Sequence, residues 1–251
     1  MVNFVGAGPG AADLITLRGH KLLSEADVII YAGSLVNKEL LKYAKEGAEI
    51  HNSAHMTLEE VIEVVKKAEK ENKSTVRLHT GDSSIYGAIR EQIDILRSNG
   101  ISYDVVPGVS SFCGAAASLK AEYTLPDVSQ SVIITRMEGR TPVPERESIR
   151  SFAAHNATMV LFLSSGLTEE LSRELIAGGY DEETPVAVVY KATWPDEKIF
   201  RCTVKTLPET MQKNNITKTA LILVGNFLGD SYERSELYNP KFTHEFRKGT
   251  H

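Results

Sequence analysis

The chain has 251 residues, enough for one large domain or two medium ones, each with a core of its own. Its apolar content of 42% and charged content of 24% are ordinary for a soluble globular protein, and a formal net charge of -5 argues against a nucleic-acid partner. Two cysteines, Cys113 and Cys202, are too few for a disulfide framework or a CxxC metal site and read as small buried hydrophobes. The first half then alternates strand and helix. "VNFVG" reads as a strand, and "DLITLRGHKLLSEA" has helical spacing with Leu14, Leu17, Leu22 and Leu23 on related faces. "DVIIY" is a short buried strand, and "TLEEVIEVVKKAEKE" is a helix opened by a capping box of Thr57 and Glu60. "STVRLHTGD" is a strand ending in a glycine turn, and "AIREQIDILRSNG" is a helix stopped by Gly100. "YDVVPGVSS" is a strand running into another turn, and "FCGAAASLKA" is a helix of small residues.

Repeated strand-turn-helix units predict a parallel sheet covered by helices. The pattern changes near residues 118–127. Beyond it, "SVIITRM", "ATMVLFLSSG", "TPVAVVYKAT", "EKIFRCTV" and "TALILVG" read as strands, with "TEELSRELIAGG" and "LPETMQKN" as helices. The expected fold is therefore two α/β domains. Residues 1–118 form the first, with a mainly parallel sheet; residues 127–229 form the second, with a mixed sheet; residues 230–251 form a polar, partly disordered tail. No internal repeat or low-complexity segment is present. With no signal-peptide pattern and no apolar run long enough to span a bilayer, the expected location is the cytoplasm, with no membrane partner.

In parallel sheets ligands bind at the carboxyl ends of the strands. Three glycine-bearing turns fall there: "GAGPG", "TGDSSIYG" and "VPGVSS". Gly6, Gly8 and Ala11 fit the loose form of a dinucleotide fingerprint, but Pro9 removes a backbone N–H that a pyrophosphate needs. The second strand also ends "IIYAGS" with no acid for a ribose, since Glu25 and Asp27 fall at its start. A turn needed only for chain geometry is the other alternative. "GDSSIYG" offers Asp82 as an acceptor and Ile85 and Tyr86 as an apolar wall, with no lysine or arginine for a phosphate. Ser110 and Ser111 stand near a helix N-terminus, where free N–H groups hold a carboxylate. Together the turns suggest S-adenosylmethionine.

"VGAGPGAADLIT", "GDSSIYG", "VPGVSS" and "TALILVG" resemble, in order and context, the tetrapyrrole methylase superfamily over about residues 2–228. The resemblance implies two-domain enzymes that bind S-adenosylmethionine in a cleft between α/β domains and release S-adenosylhomocysteine. "YAGSLV" is similar to the branch that methylates C-11 of precorrin-4 or cobalt-precorrin-4 in cobalamin synthesis. One departure is Ser83, where the family usually has proline after Gly-Asp. By resemblance the cofactor residues are Pro9, Gly81, Asp82, Ile85, Ser110 and Ser111, joined by Met137, Leu163, Ala192, Thr219 and Ala220 from the second domain. Tyr86 reads equally as cofactor wall or core, Asp82 also as a turn-capping carboxylate, and Leu163 and Ala220 also as core packing.

A carboxylate-rich precorrin calls for basic and hydrogen-bonding groups, for which Tyr31, Ser34, Lys120 and Arg136 are candidates or ordinary surface residues. His51 and His55 form an i, i+4 pair with nothing to complete a metal site, and no metal is expected. No residue stands out as a catalytic base. Relatives commonly dimerise, and apolar sequence around "YAGSLV" and "LFLSSGL" agrees, so a homodimer is expected. Methylation of another tetrapyrrole carbon (C-20, C-17 or in the sirohaem pathway), transfer to RNA or a diphthamide precursor, a non-catalytic tetrapyrrole-binding protein and a dinucleotide oxidoreductase remain as alternatives.

Overall fold

Every residue of β1 (Val2–Gly6) is buried, as a parallel strand covered on both faces requires. The protein is described by a computed structural model over residues 1–250; His251 and the side chain of Ser34 lie outside the described residues. The chain divides into one unit of Met1–Ala115 with Lys191–Glu197 and a second of Ala116–Tyr190 with Lys198–His251.

In the first unit β1 is joined by β2 (Val28–Tyr31), β3 (Glu49–Asn52), β4 (Thr75–His79) and β5 (Tyr103–Val106). All pairings are parallel, in the order β3-β2-β4-β1-β5. Side-chain alternation divides the strands between two cores. Val5, Ile29, Val76 and Leu78 face one core with Leu23 of α1 (Leu17–Glu25). Phe4, Val28 and Ile30 face the other, with Val61, Ile62 and Val65 of α2 (Leu58–Lys70) and Leu96 of α3 (Ile89–Ser98). On β4 this second face carries Arg77 and His79, both buried.

The helix read across "DLITLRGHKLLSEA" is split. Ala12–Leu14 make a separate 3-10 turn, and Thr16 starts α1 afresh, its hydroxyl accepting the N–H of Gly19 at 3.1 Å. The new cap resets the helical phase. Leu14 and Leu17 are exposed while Leu23 is fully buried, so the four leucines do not share a face. The capping box of α2 forms in full, Thr57 N–H to Glu60 Oε2 at 2.7 Å and Glu60 N–H to Thr57 Oγ1 at 3.3 Å. Strand β3 has no counterpart in the sequence reading. Its four residues, "EIHN", show neither apolar alternation nor an apolar run, and pairing with β2 makes it a strand.

The helix α4 (Ser111–Leu119) leads into the second unit. There β6 (Val132–Arg136), β7 (Thr158–Phe162), β8 (Pro185–Tyr190), β9 (Lys198–Thr203) and β10 (Ala220–Val224) form a sheet in the order β6-β7-β10-β8-β9. Only β6 and β7 run parallel; the other pairings are antiparallel. The helices α5 (Ile149–Ala153), α6 (Thr168–Gly178) and α7 (Leu207–Lys213) cover it, and Met159, Leu161, Val188 and Ile222 meet Ile149, Leu171, Leu175 and Leu207 in one core.

The cysteine expectation is corrected: Cys113 of α4 is exposed, and Cys202 is half-buried on the edge strand β9. The polar tail is organised in part. Arg247 donates to Leu237 O and Asn239 O, each at 2.8 Å, and His244 pairs with Arg247. No helix among the described residues is long and apolar enough to cross a membrane.

Asp27 ties the start of β2 to the start of β4. Its carboxylate accepts from Lys45 Nζ at 2.6 Å, from Ser74 N–H at 2.7 Å and from Ser74 Oγ at 2.9 Å. The bond from Lys45, then those from Ser74, lower its pKa to about 2. A depressed carboxyl pKa contributes stability that is full above the unfolded value and is lost as pH falls toward about 2. Denaturation of wild type and Asp27→Asn between pH 5 and pH 2 is expected to show a smaller acid loss in the variant; equal losses would contradict this assignment.

Candidate active site

At the carboxyl end of the first sheet, β4, β1 and β5 are neighbours, so the turns that follow them meet. They meet as bare backbone. A Cβ on Gly6 would lie 2.5 Å from Gly108 Cα and 2.7 Å from Gly81 O, and one on Gly108 would lie 2.1 Å from Gly81 O. Gly81 also has a φ of +59°, in the left-handed region. The Gly8 and Gly81 backbones exchange two hydrogen bonds, of 3.2 and 2.9 Å.

This packing occupies three of the backbone donors of the first glycine turn. Ala7 N–H goes to His79 O at 2.7 Å, Gly8 N–H to Gly81 O and Ala11 N–H to Thr193 Oγ1 at 2.9 Å, while Pro9 has no N–H. Trp194 closes the turn from outside, its indole N–H donating to Pro9 O at 3.2 Å. Asn37 Nδ2 donates to Gly10 O at 2.8 Å. A pyrophosphate needs free backbone N–H groups aimed at it. Three of this turn's N–H groups are spent on protein oxygens and Pro9 has none, which weighs against the dinucleotide alternative.

The second turn is held by Asp82. Its Oδ2 accepts Gly108 N–H at 2.7 Å, and its Oδ1 accepts Ser84 N–H at 2.9 Å and the Ser84 hydroxyl. Burial raises the Asp82 pKa, but the bonds from Ser84 and Gly108 outweigh it and hold the carboxyl below its usual value. Asp82 thus clamps two turns together. Ser83 is buried, and its hydroxyl has no hydrogen-bond partner among the described residues; a proline there would fill the space without a polar atom. Ile85 is half-buried and Tyr86 is exposed with a φ of +54°. In the third turn Ser110 is buried and its carbonyl accepts the N–H groups of Cys113 and Gly114 as α4 begins. Ala192, expected from the second domain, belongs to the first unit: its neighbours Thr193 and Trp194 are hydrogen-bonded to Ala11 and Pro9.

In the second unit a separate group gathers at one end of the sheet. The pairing Arg136–Phe162 sets Met137 beside Leu163, and the register Ile222–Leu161, continued, sets Ala220 opposite Leu163. Met137 N–H donates to Ser164 Oγ at 2.8 Å, and Ser165 Oγ donates to Ala220 O at 3.1 Å. Leu163 is 69% exposed with a φ of +52°, which is not core packing, while Ala220 is buried. Thr219 is also left-handed, at +59°.

The candidate substrate residues stand on separate elements of the two units. Tyr31 is buried in the core on the α1 face, because alternation along β2 turns it with Ile29. Arg136 donates to Met137 O, Thr141 O and Pro142 O at 3.1, 3.2 and 2.8 Å, holding its own loop. Lys120 is exposed just past α4, about 13 Å along the helix from Ser111. The side chain of Ser34 lies outside the described residues.

The sequence reading missed the buried pair Arg77 and His79, and Trp194, the only tryptophan of the chain. Burial lowers the His79 pKa to about 3, with the Arg77 charge adding to it, so the imidazole is neutral at physiological pH. Alternation along "TVRLH" carries a signal for this pair: residues 77 and 79 share the face of a strand buried on both sides.

The family model for tetrapyrrole (corrin/porphyrin) methylases matches residues 1–208. A relative from Methanocaldococcus jannaschii named cobalt-precorrin-4 C(11)-methyltransferase is 58% identical over 248 residues, 98% of this chain and 96% of that one. The X-ray structure of a cobalamin biosynthetic enzyme, cobalt precorrin-4 methyltransferase, superposes with a TM-score of 0.89 at 51% identity, covering 91% of this chain and 96% of that one. A Thermus thermophilus uroporphyrin-III C-methyl transferase, in a crystal structure complexed with S-adenyl homocysteine, gives a TM-score of 0.77 at 26% identity, covering 90% and 98%.

Gly10 tests the closed turn. A Cβ there would lie 2.1 Å from Trp194 Cδ1 and 2.7 Å from Ala192 O. Gly10→Ala is expected to push the indole outward, red-shift the emission of the single tryptophan and cost about 1–3 kcal/mol of stability. Unchanged emission and melting temperature would contradict the packing described.

Proposed function

The chain belongs to the tetrapyrrole (corrin/porphyrin) methylase family, and from that premise we propose that it transfers the methyl group of S-adenosylmethionine to C-11 of cobalt-precorrin-4. The observation that carries the cofactor half is the turn cluster of the first unit. It is tightly packed backbone whose first turn has three of its amide donors occupied, and its "GDSSIYG" and "VPGVSS" turns contain no lysine or arginine. Such a donor set does not suit a phosphate. It fits a ligand with hydroxyls, an amine, a carboxylate and an apolar base. Pro9, Gly81, Asp82, Ile85, Tyr86, Ser110, Ser111 and Ala192 are the proposed cofactor residues of this unit, and Met137, Leu163, Thr219 and Ala220 those of the second.

S-Adenosylmethionine supplies an electrophilic methyl group on a sulfonium. The chain's task is then alignment. Rigid turns hold the donor on line with the attacking carbon, and orientation of that kind supplies up to about 7–11 kcal/mol of a barrier. Ile85 and Tyr86 provide the apolar wall. The choice of C-11, and of a cobalt-bearing substrate, rests on "YAGSLV" and on the names of the similar proteins. A homodimer is part of the proposal, supported by exposed Leu35 on the apolar segment "YAGSLV". A cytoplasmic location agrees with the two free thiols. A dimer mass by light scattering at micromolar concentration is expected, and a monomer mass would reject that part.

Calorimetry is expected to show S-adenosylhomocysteine binding and no NAD binding. Gly81→Val, which forces a branched residue into the left-handed region, is expected to weaken S-adenosylhomocysteine about tenfold or more. NAD binding without S-adenosylhomocysteine binding would reject the cofactor. Incubation with methyl-labelled donor and cobalt-precorrin-4 or precorrin-4, followed by carbon NMR, is expected to place one label at C-11, with faster turnover of the cobalt form. Label only at C-20, C-17 or C-1 would reject the position, and transfer only to RNA or protein would reject the substrate class.

A further inference from the structure

On the α2/α3 side of the first sheet lies a cavity of about 280 Å³. Its lining combines a buried cation, a buried unbonded imidazole and the start of a helix. Arg77 is buried; its Nε donates to Gln92 Oε1 and its Nη1 to Ile30 O, both at 3.2 Å. Burial lowers its pKa to about 10, which leaves it charged at neutral pH. No carboxylate pairs with it among the described residues, and a buried charge without a counter-charge is costly. His79 is 5% exposed, and its Nε2 has no hydrogen-bond partner among the described residues. Two polar groups at a cavity wall therefore lack what a native interior normally supplies.

The rest of the lining says what is missing. The helix α3 opens on Ala88, left-handed at φ +49°, with no side chain capping its first N–H groups. That end of the helix carries partial positive charge. Met56, Leu58 and Ile85 make an apolar wall. Glu91 is the only acid in the lining, and it is exposed. An anion with a short hydrocarbon stem matches these features together: a charge for Arg77, an acceptor for His79, and methylenes for the apolar wall. At about 30 Å³ per water-sized group, the cavity has room for a stem and carboxylate of about four or five heavy atoms, with space left over.

We propose that this cavity takes one carboxyalkyl side arm of the tetrapyrrole, its carboxylate beside Arg77 and His79 and its methylenes against Met56 and Leu58. The assignment rests on the tetrapyrrole reading above and adds a substrate subsite built wholly within the first unit. Here the neutral imidazole donates its one N–H in a hydrogen bond to the arm.

The test uses the full-length enzyme and cobalt-precorrin-4. His79→Ala removes the donor. Gln92→Glu sets a carboxylate against the Arg77 guanidinium and competes with the arm for its charge. Each is expected to raise KM for the tetrapyrrole about tenfold, with kcat and the Kd for S-adenosylhomocysteine within about twofold of wild type. In wild type the nitrogen resonances of the His79 imidazole are expected to shift on adding tetrapyrrole and to stay put on adding S-adenosylhomocysteine. Wild-type transfer to C-11 with unchanged KM in both variants and no His79 shift would overturn the subsite and leave the proposed function standing. A wild type that methylates no tetrapyrrole would overturn both. Should either variant lose its fold, the wild-type His79 shift decides: present, it supports the subsite; absent, it overturns it.

Discussion

The first unit depends on one steric constraint: three backbones that approach too closely for any side chain. Gly6, Gly81 and Gly108 stand at the ends of adjacent strands, and a methyl group on Gly6 or Gly108 would overlap main-chain atoms of the others. The contact brings the turns after β1, β4 and β5 into one cluster. It also sets the chemistry of that cluster. Once the Gly8 and Gly81 backbones bond each other and Ala7 bonds His79, the glycine turn has little left for an anion. A motif whose spacing resembles a phosphate cradle serves here as a packing joint. The Asp82 carboxylate reinforces it by holding the Gly108 turn against its own.

Backbone strain marks the corresponding end of the second unit's sheet. Leu163 and Thr219 occupy the left-handed region, at a cost of order 1–3 kcal/mol each. Leu163 is also exposed, so core packing does not repay it. Non-glycine residues hold such conformations when the surroundings fix them for another purpose. Met137 and Ala220 lie beside Leu163 through ordinary sheet register, which makes that sheet end a defined surface and not a frayed edge.

Much of this was legible in the sequence. Apolar runs and turn residues located the paired strands of both sheets, apart from β3; most of those strands are buried enough to leave a hydropathy signal, while β5 and β9 are largely exposed. The shared address of three turns at strand ends was legible for the same reason. The split of the first helix was harder: Thr16 is a cap by its hydrogen bond to Gly19, while its neighbours keep a helix-like spacing. Strand β3 was invisible because its partner, not its own residues, makes it a strand. Arg136 is legible as a basic residue at a strand end, while the three hydrogen bonds it donates to carbonyls of its own loop are not legible in the sequence. Arg77 and His79 carry little signal in the sequence because polar residues in a strand ordinarily face water; here α2 and α3 cover that face.

A crystal structure of the protein with S-adenosylhomocysteine tests the central claim most directly: the packed turns serve a methyl donor. The account predicts the nucleoside against residues 81–86 and the amino-acid end near Ser110 and Ser111, with the bonds among Ala7, Gly8, His79 and Gly81 intact. A ligand bound away from these turns, or one that breaks the Gly8–Gly81 pair to reach its N–H groups, would contradict it.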